Sequence, residues 1–221
     1  MINYLIISKK KWDVKNFKIL NRSFRFIDNL NKSKIIKNTP KINYFIHCSE
    51  KIPSEIFKRY LCIQFHSSDL PQFKGGSPIQ NQIISGLKKT KITAFKVSDK
   101  IDSGDICLKN VLDLSGTAAQ IYKNMEKKSV LMIRHLSRKK KIKFYKQKGK
   151  SSYFKRRKIR DSNIFSLKKP NIVKIFNFIR MLDAPGYTKA NIDLKKYKIL
   201  LENVKIKKNK ILKGEFRIVK K

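Results

Sequence analysis

Cysteine is scarce in this chain. Cys48, Cys62 and Cys107 are odd in number and include no closely spaced pair, which argues against both a disulfide framework and a zinc site. They read instead as reduced, mostly buried thiols. Long apolar runs are missing as well. The opening MINYLIISKKKW holds an apolar stretch too short for the core of a secretory signal, has no small-residue cleavage site and runs straight into lysines. No segment approaches the length of a membrane span, so the expectation is a soluble, cytoplasmic protein. Acidic side chains are the third shortage: 15 Asp and Glu stand against 54 Lys and Arg, a formal net charge of +39.

What remains is not the composition of a disordered chain. Apolar residues make up 41% and aromatics 10%, enough to build a core despite the charge, and 221 residues favour one main domain with a small appendage. The charge has two readings. One is the electrostatic footprint of an anionic partner such as RNA, a sugar nucleotide or a membrane surface. The other is drift under A/T-rich codon usage, because the excess is mostly Lys, accompanies abundant Ile and Asn, and runs from Lys9 to Lys221 without gathering in one block. A dedicated nucleic-acid module would more often carry Arg-rich patches interleaved with aromatics. Either way, avid nonspecific binding to polyanions is expected at low salt.

Period and punctuation suggest an α/β chain. NYLIIS (3 to 8), FRFID, INYFIHCS (42 to 49), LCIQFH and KITAFKVS (91 to 98) read as strands, and a polar stretch around 12 to 20 reads as a helix. Ser54 is placed to cap a short helix after Pro53, and SPIQNQIISGL (77 to 87) starts with Pro just inside a helix and stops at Gly86. Thr117 opens TAAQIYKNMEKKSVLMIRHL, whose apolar positions recur at helical spacing. Residues 138 to 150 read as a Lys-rich connector, NIVKIFNFIRML as an amphipathic helix halted near DAPGY, and the tail as a β-meander around an Asn-containing turn. Strands alternating with helices imply a mainly parallel sheet, whose ligands sit at the carboxyl ends of its strands.

Against this background QFHSSDLPQFKGGSPIQ, residues 64 to 80, is unusual: it gathers a rare His, an acid, two of the six prolines and Gly75-Gly76. His66 ends a predicted strand and opens a loop, the usual way an α/β enzyme presents a polar group. A second cluster, KVSDKIDSGDI, follows another strand and holds Asp99, Asp102 and Asp105 around Ser103-Gly104. Asp99 and Asp105 read as turn residues. Asp102 is the candidate partner for His66, since a carboxylate beside an imidazole fixes its tautomer and favours its charged form, an arrangement that acyl transfer uses. His47 and His135 read as packing or surface residues.

FHSSDLPQFKGGSPIQNQIISG followed by a strand and IDSGDI resembles the core of the folate-dependent formyltransferases, over roughly residues 40 to 137. The resemblance implies a Rossmann-like α/β domain with a mainly parallel sheet over 1–140 and a small C-terminal α+β appendage, a substrate-side subdomain, over 151–221. It places His66 and Asp102 on the family's catalytic pair and Ser68, Asp69, Leu70 and Pro71 on the turn that contacts the folate, with Asp69 where Leu is common. The family's Asn falls on Gln64, whose extra methylene shifts the amide relative to a developing oxyanion. The implied reaction is attack of a primary amine on the formyl carbon of 10-formyltetrahydrofolate, with no metal, His66 stabilising the oxyanion and moving protons while Gln64 donates an auxiliary hydrogen bond.

For the acceptor, FKRRKIRDSNI (154 to 164) and IFNFIRMLDAPGYTKANI (175 to 192) resemble the branch that formylates amino sugars. Arg156, Arg157 and Arg180 are then candidate contacts to phosphates or carboxylates, with Asp183 an alternative partner for Arg180. A nucleotide-linked amino sugar of surface-glycan synthesis is the favoured substrate. Methionyl-tRNA is the rival, set second because the large C-terminal barrel expected of that enzyme is not visible beyond residue 150. A weakened folate- or polyanion-binding module is a third reading, and a homodimer is open.

Overall fold

The computed structural model describes residues 3–8, 17, 20–28, 30–208 and 210–221. The expected helix around 12 to 20 and the Asn209 turn lie outside the described residues, apart from Phe17 and Leu20. The main strands are β1 (Tyr4–Ile7), β2 (Phe24–Ile27), β3 (Ile42–Ile46), β4 (Leu61–His66), β5 (Lys89–Lys96), β6 (Ile106–Asp113), β7 (Ala190–Asp193), β8 (Tyr197–Lys207) and β9 (Ile211–Lys220). The helices are α1 (Lys32–Asn38), α2 (Ser54–Arg59), α3 (Pro78–Ile84), α4 (Ala118–Ser137) and α5 (Ile172–Leu182).

Two compact units divide the chain. The first comprises Met1–Gly75, Lys91–Leu112 and Asn124–Tyr153. Its sheet runs β2-β1-β3-β4-β5-β6. β1 pairs parallel with β2 and with β3, and β3 pairs parallel with β4. The order reverses direction at β1, the doubly wound pattern of a Rossmann-like sheet. β5 departs from it by pairing antiparallel with β4, Phe65 opposite Ala94 and His66 opposite Thr93. All five residues of β3 are buried, as expected of a central strand covered on both faces. Leu5, Ile7, Ile35, Phe45 and Ile56 form one apolar cluster; each such side chain taken fully from water contributes about 1.5–3 kcal/mol.

The second unit comprises Gly76–Thr90, Asp113–Lys123 and Phe154–Lys221. Its three strands form an antiparallel sheet in the order β9-β8-β7, of which β7 carries no sequence expectation because four residues leave little period to read. α5 packs its buried face, Phe178, Met181 and Leu182, toward β8. Asn171 caps it by accepting from the Lys174 amide at 2.9 Å.

One expected cap is corrected. Ser54 is the first helical residue of α2 and makes no capping bond; Pro53 is the N-cap, its carbonyl accepting from the Ile56 amide at 3.0 Å. The proline's fixed φ of -59° already turns the chain in, so the serine falls one position late. At α4, Thr117 and Gln120 make reciprocal bonds, Thr117 N–H to Gln120 Oε1 at 2.9 Å and Gln120 N–H to Thr117 Oγ1 at 3.4 Å.

The three thiols are unpaired with one another; Cys62 is buried and Cys48 and Cys107 are half-buried. Burial pushes the Cys62 and Cys107 thiols up to about 12. Against an ordinary value of 9.0, the reactive thiolate fraction at pH 8 drops about a thousandfold. Iodoacetamide at pH 8 is expected to leave both untouched in the folded protein and to label both in urea, read by peptide mass spectrometry. Labelling of either at the same rate folded and unfolded would refute this packing.

Candidate active site

β4 carries the site residues at period two, so Gln64 and His66 share one face of the strand. His66, at the carboxyl end, is 7% exposed. Its Nε2 donates to the Phe73 carbonyl at 2.8 Å, and its Nδ1 faces Asp102 Oδ2 at 3.5 Å. Asp102 is 6% exposed, and the same Oδ2 accepts from the Gly75 amide at 2.8 Å. The structure thus brings together the two residues that sequence pairs. Gln64 is turned elsewhere: its Nε2 donates to the Cys48 carbonyl at 3.5 Å.

The Asp102 loop is held by backbone contacts. Asp102 has φ of 50°, in the left-handed region that a short polar side chain tolerates. Gly104 presses against β5, where an added Cβ would lie 1.6 Å from the Lys96 carbonyl oxygen. Gln147 Nε2 donates to the Asp102 and Gly104 carbonyls, both at 2.9 Å. Ser152 supports the opposite side, its Oγ accepting from the Phe73 amide at 2.9 Å and its carbonyl from the Lys74 amide at 2.9 Å. Nothing in the sequence marks Gln147 or Ser152, beyond their being uncharged polar residues in or beside a run of lysines. Of the other two acids, Asp105 pairs with Lys146 at 3.2 Å and Asp99 is exposed.

The turn expected to touch folate is mostly covered. Ser68 and Leu70 are buried at 0% and 1% exposure, and Pro71 is buried. Ser68 Oγ donates to the Gln72 carbonyl at 2.6 Å, while Thr93 Oγ1 donates to the Ser68 carbonyl at 2.6 Å. These bonds fix the path of the chain leaving His66. Asp69 alone is substantially exposed, and Lys91, at 3.0 Å, and Lys109 pair with it. Partial burial works to raise its pKa, but hydrogen bonds from Lys109 and then Lys91 outweigh it and the net direction is down. The charge that replaces an apolar residue here is therefore neutralised locally.

In the second unit, Arg156 is exposed and an added Cβ on Gly76 would meet its Cα at 2.4 Å. Arg157 donates from Nη2 to the Asp161 carbonyl at 2.5 Å and lies over the Phe178 ring. Arg180 is buried, its Nη1 donating to the carbonyls of Leu114 and Gly116 at 2.6 and 2.8 Å, and its Nε to Asn177 Oδ1 at 2.8 Å. Asp183 is not its partner: that carboxylate takes Lys189 and the Asn203 amide, both within ordinary hydrogen-bond reach. Tyr187 stacks on Tyr122 with ring centroids 5.5 Å apart. Among the described residues no group of three His, Cys, Asp or Glu side chains could hold a metal ion, and no helix is long and apolar enough to cross a membrane.

A buried imidazole that faces a buried carboxylate at a strand's carboxyl end is a donor set suited to charge developing on a carbonyl oxygen. Comparison with known proteins agrees in kind. A formyl transferase model matches residues 7–135, more than half of the 221 residues. The chain belongs to the formyl transferase family. A second model, the C-terminal domain of methionyl-tRNA formyltransferase, matches residues 159–219 of this formyltransferase. A methionyl-tRNA formyltransferase of Wigglesworthia glossinidia brevipalpis is 42% identical over 76 residues, 34% of this chain and 23% of the relative, so the match spans about a quarter of the relative's length. A solved structure of methionyl-tRNA formyltransferase from Clostridium thermocellum is 37% identical with a TM-score of 0.91, covering 100% of both chains. A 4-N formyltransferase from Francisella tularensis shares the fold, with a TM-score of 0.66 and 17% identity over 87% of this chain and 93% of that one. The family's donor is 10-formyltetrahydrofolate.

Gly104→Ala tests the loop that delivers Asp102. Both clashing atoms are backbone, so the loop must shift; a loss of at least about 1–3 kcal/mol in urea unfolding is expected, with formyl transfer falling further than stability alone explains. An unchanged unfolding midpoint and rate would contradict the close approach.

Proposed function

We propose that this formyltransferase moves the formyl group of 10-formyltetrahydrofolate to the α-amino group of methionyl-tRNA. Residues 1–140 form its catalytic domain and 151–221 its substrate-side subdomain. The observation that carries the chemistry is the His66–Asp102 pair, buried on both sides and held by the Gly75 amide. The folate supplies the formyl carbon. The amine nitrogen bonds to that carbon, the carbon's bond to the folate nitrogen breaks, and the proton lost by the amine ends on the folate nitrogen.

His66 donates Nε2–H to the carbonyl oxygen under attack, in place of the Phe73 carbonyl that takes this bond in the structure. One such donor is typically worth about 2.7–4 kcal/mol of barrier. Asp102, facing Nδ1, keeps the ring oriented. Gln64, on the same strand face, is an auxiliary donor once released from Cys48. The Ser68–Pro71 turn serves mainly by fixing His66, leaving Asp69 with its two lysines as the part of the turn open to the donor.

The choice of acceptor rests on the C-terminal unit. Its shortness had set methionyl-tRNA second, but a domain of 159–219 that matches the tRNA enzyme's C-terminal model removes that objection. The basic surface favours RNA in the same direction. The amino-sugar reading stands second, supported by a sugar-type neighbour that shares the fold.

The test is formyl transfer from 10-formyltetrahydrofolate at fixed salt, with methionyl-tRNA and a panel of nucleotide-linked amino sugars as acceptors. Turnover with methionyl-tRNA at least about a hundredfold above any sugar in kcat/KM is expected, a gap of about 2.7 kcal/mol. A sugar that exceeds the tRNA would transfer the case to the second reading, and folate binding without turnover on any acceptor would favour a weakened module.

A further inference from the structure

Outside the His66 site, the second unit contains a groove of about 790 Å3 between the start of α4, α5 and the β8–β9 hairpin. A bulge in β8 lines it: the register shifts between Glu202 and Lys205, and Asn203 has φ of 52°. The bulge is pinned from outside the ladder. Asp183, the C-cap of α5, accepts from the Asn203 amide at 2.9 Å through Oδ2 and pairs with Lys189 through Oδ1; Lys189 also pairs with Glu202 at 3.0 Å.

Arg180 lines this groove. It is 7% exposed, yet among the described residues no carboxylate forms an ion pair with it. Its hydrogen bonds from Nε and Nη1 go to three neutral oxygens, and among the described residues none is made by Nη2. Phe176, another lining residue, lies under the guanidinium with its centroid 5.4 Å from the central carbon, which fixes the plane of the fork. A buried cation hydrogen-bonded to neutral oxygens alone is costly, and an oxyanion in the groove relieves that cost. Burial lowers the pKa of this guanidinium and outweighs Asp113, which acts in the other direction.

The surroundings carry the same sign. Lys205, Lys207 and Lys213 line the groove, all exposed and, among the described residues, none in an ion pair. Thr117 and Gln120 bring in the first turn of α4, whose 20 residues place a positive dipole end there. The groove's acid, Glu215, already accepts from Asn203 Nδ2 at 2.7 Å.

We infer that this groove is a phosphate-binding site in which Arg180 Nη2 and the three lysines hold a phosphate oxyanion. The chemistry is common to an RNA backbone and to a nucleoside diphosphate, so the assignment holds whichever acceptor the enzyme uses, and direct binding tests it without reference to formyl transfer.

Isothermal titration calorimetry of the full chain at fixed salt with inorganic pyrophosphate, UDP and a short single-stranded RNA tests it. Three proteins are compared: wild type, the groove variant Lys205→Gln/Lys207→Gln/Lys213→Gln, and a charge-matched control, Lys143→Gln/Lys148→Gln/Lys150→Gln, in the exposed connector. Pyrophosphate Kd is expected to rise at least about tenfold in the groove variant and stay within about twofold in the control. Arg180→Lys, checked for folding by its circular dichroism melt, is expected to weaken pyrophosphate as well, because an ammonium cannot span the carbonyls and the anion together. An RNA source predicts that the slope of log K on log salt for the RNA falls by about 2 in the groove variant, since each phosphate contact on a single strand contributes about 0.7. A diphosphate source predicts that UDP binding falls together with pyrophosphate while the RNA slope is unchanged. Equal losses in groove variant and control, or no loss in the groove variant, would overturn the site and leave only diffuse attraction by the +39 chain.

Discussion

One carboxylate oxygen, Asp102 Oδ2, organises the first unit. It accepts from the Gly75 amide and faces His66 Nδ1, so it ties the loop leaving β4 to the loop entering β6. The sheet exists, for this purpose, to bring those loops to the same end. β4 and β5 run antiparallel with His66 opposite Thr93, and Thr93 in turn anchors the Ser68 carbonyl. The two groups that face His66 are thus the Phe73 carbonyl and a carboxylate that is itself bonded to the Gly75 amide, so backbone orients the imidazole.

Much of this was legible because the needed residue types are rare in the chain. In a sequence dominated by Lys and Ile, a His at the end of an apolar strand and an Asp-Ser-Gly turn stand apart, and both mark strand ends. Gly104 illustrates why the turn has its composition: only hydrogen fits beneath the Lys96 carbonyl. Less legible was the commitment of each side chain. Gln64 shares a face with His66, as period two requires, but its extra methylene carries the amide to Cys48. Ser68 and Leu70 fall on a contact turn by motif, yet the fold closes over them. Gln147 and Ser152 were invisible because their value comes from tertiary neighbours roughly forty to eighty residues away in sequence, and a Lys-rich connector has no period to reveal which residues point inward.

The C-terminal unit shows the same division between what pattern reveals and what packing decides. The amphipathic period of α5 and the alternation of the tail are plain in the sequence, and the meander is there. Arg180 was singled out as a cation on an apolar helix, but its partners are carbonyls of the Leu114–Gly116 loop rather than the nearby Asp183. Asp183 instead caps α5 and holds the β8 bulge, so a residue that looked like a counter-ion is a structural pin. That exchange leaves a guanidinium facing a groove rather than satisfied within the core.

On the proposed mechanism, Asp102 acts on the reacting group through His66. The most direct measurement is single-turnover formyl transfer by Asp102→Asn, which keeps the side-chain shape and removes the charge, beside His66→Ala, with thermal melts and folate affinity measured on both. Rate losses of about 10²–10⁴ are expected for each, with folate binding nearly preserved and the double variant little worse than either alone. A folded Asp102→Asn protein that turns over within a few-fold of wild type would contradict it.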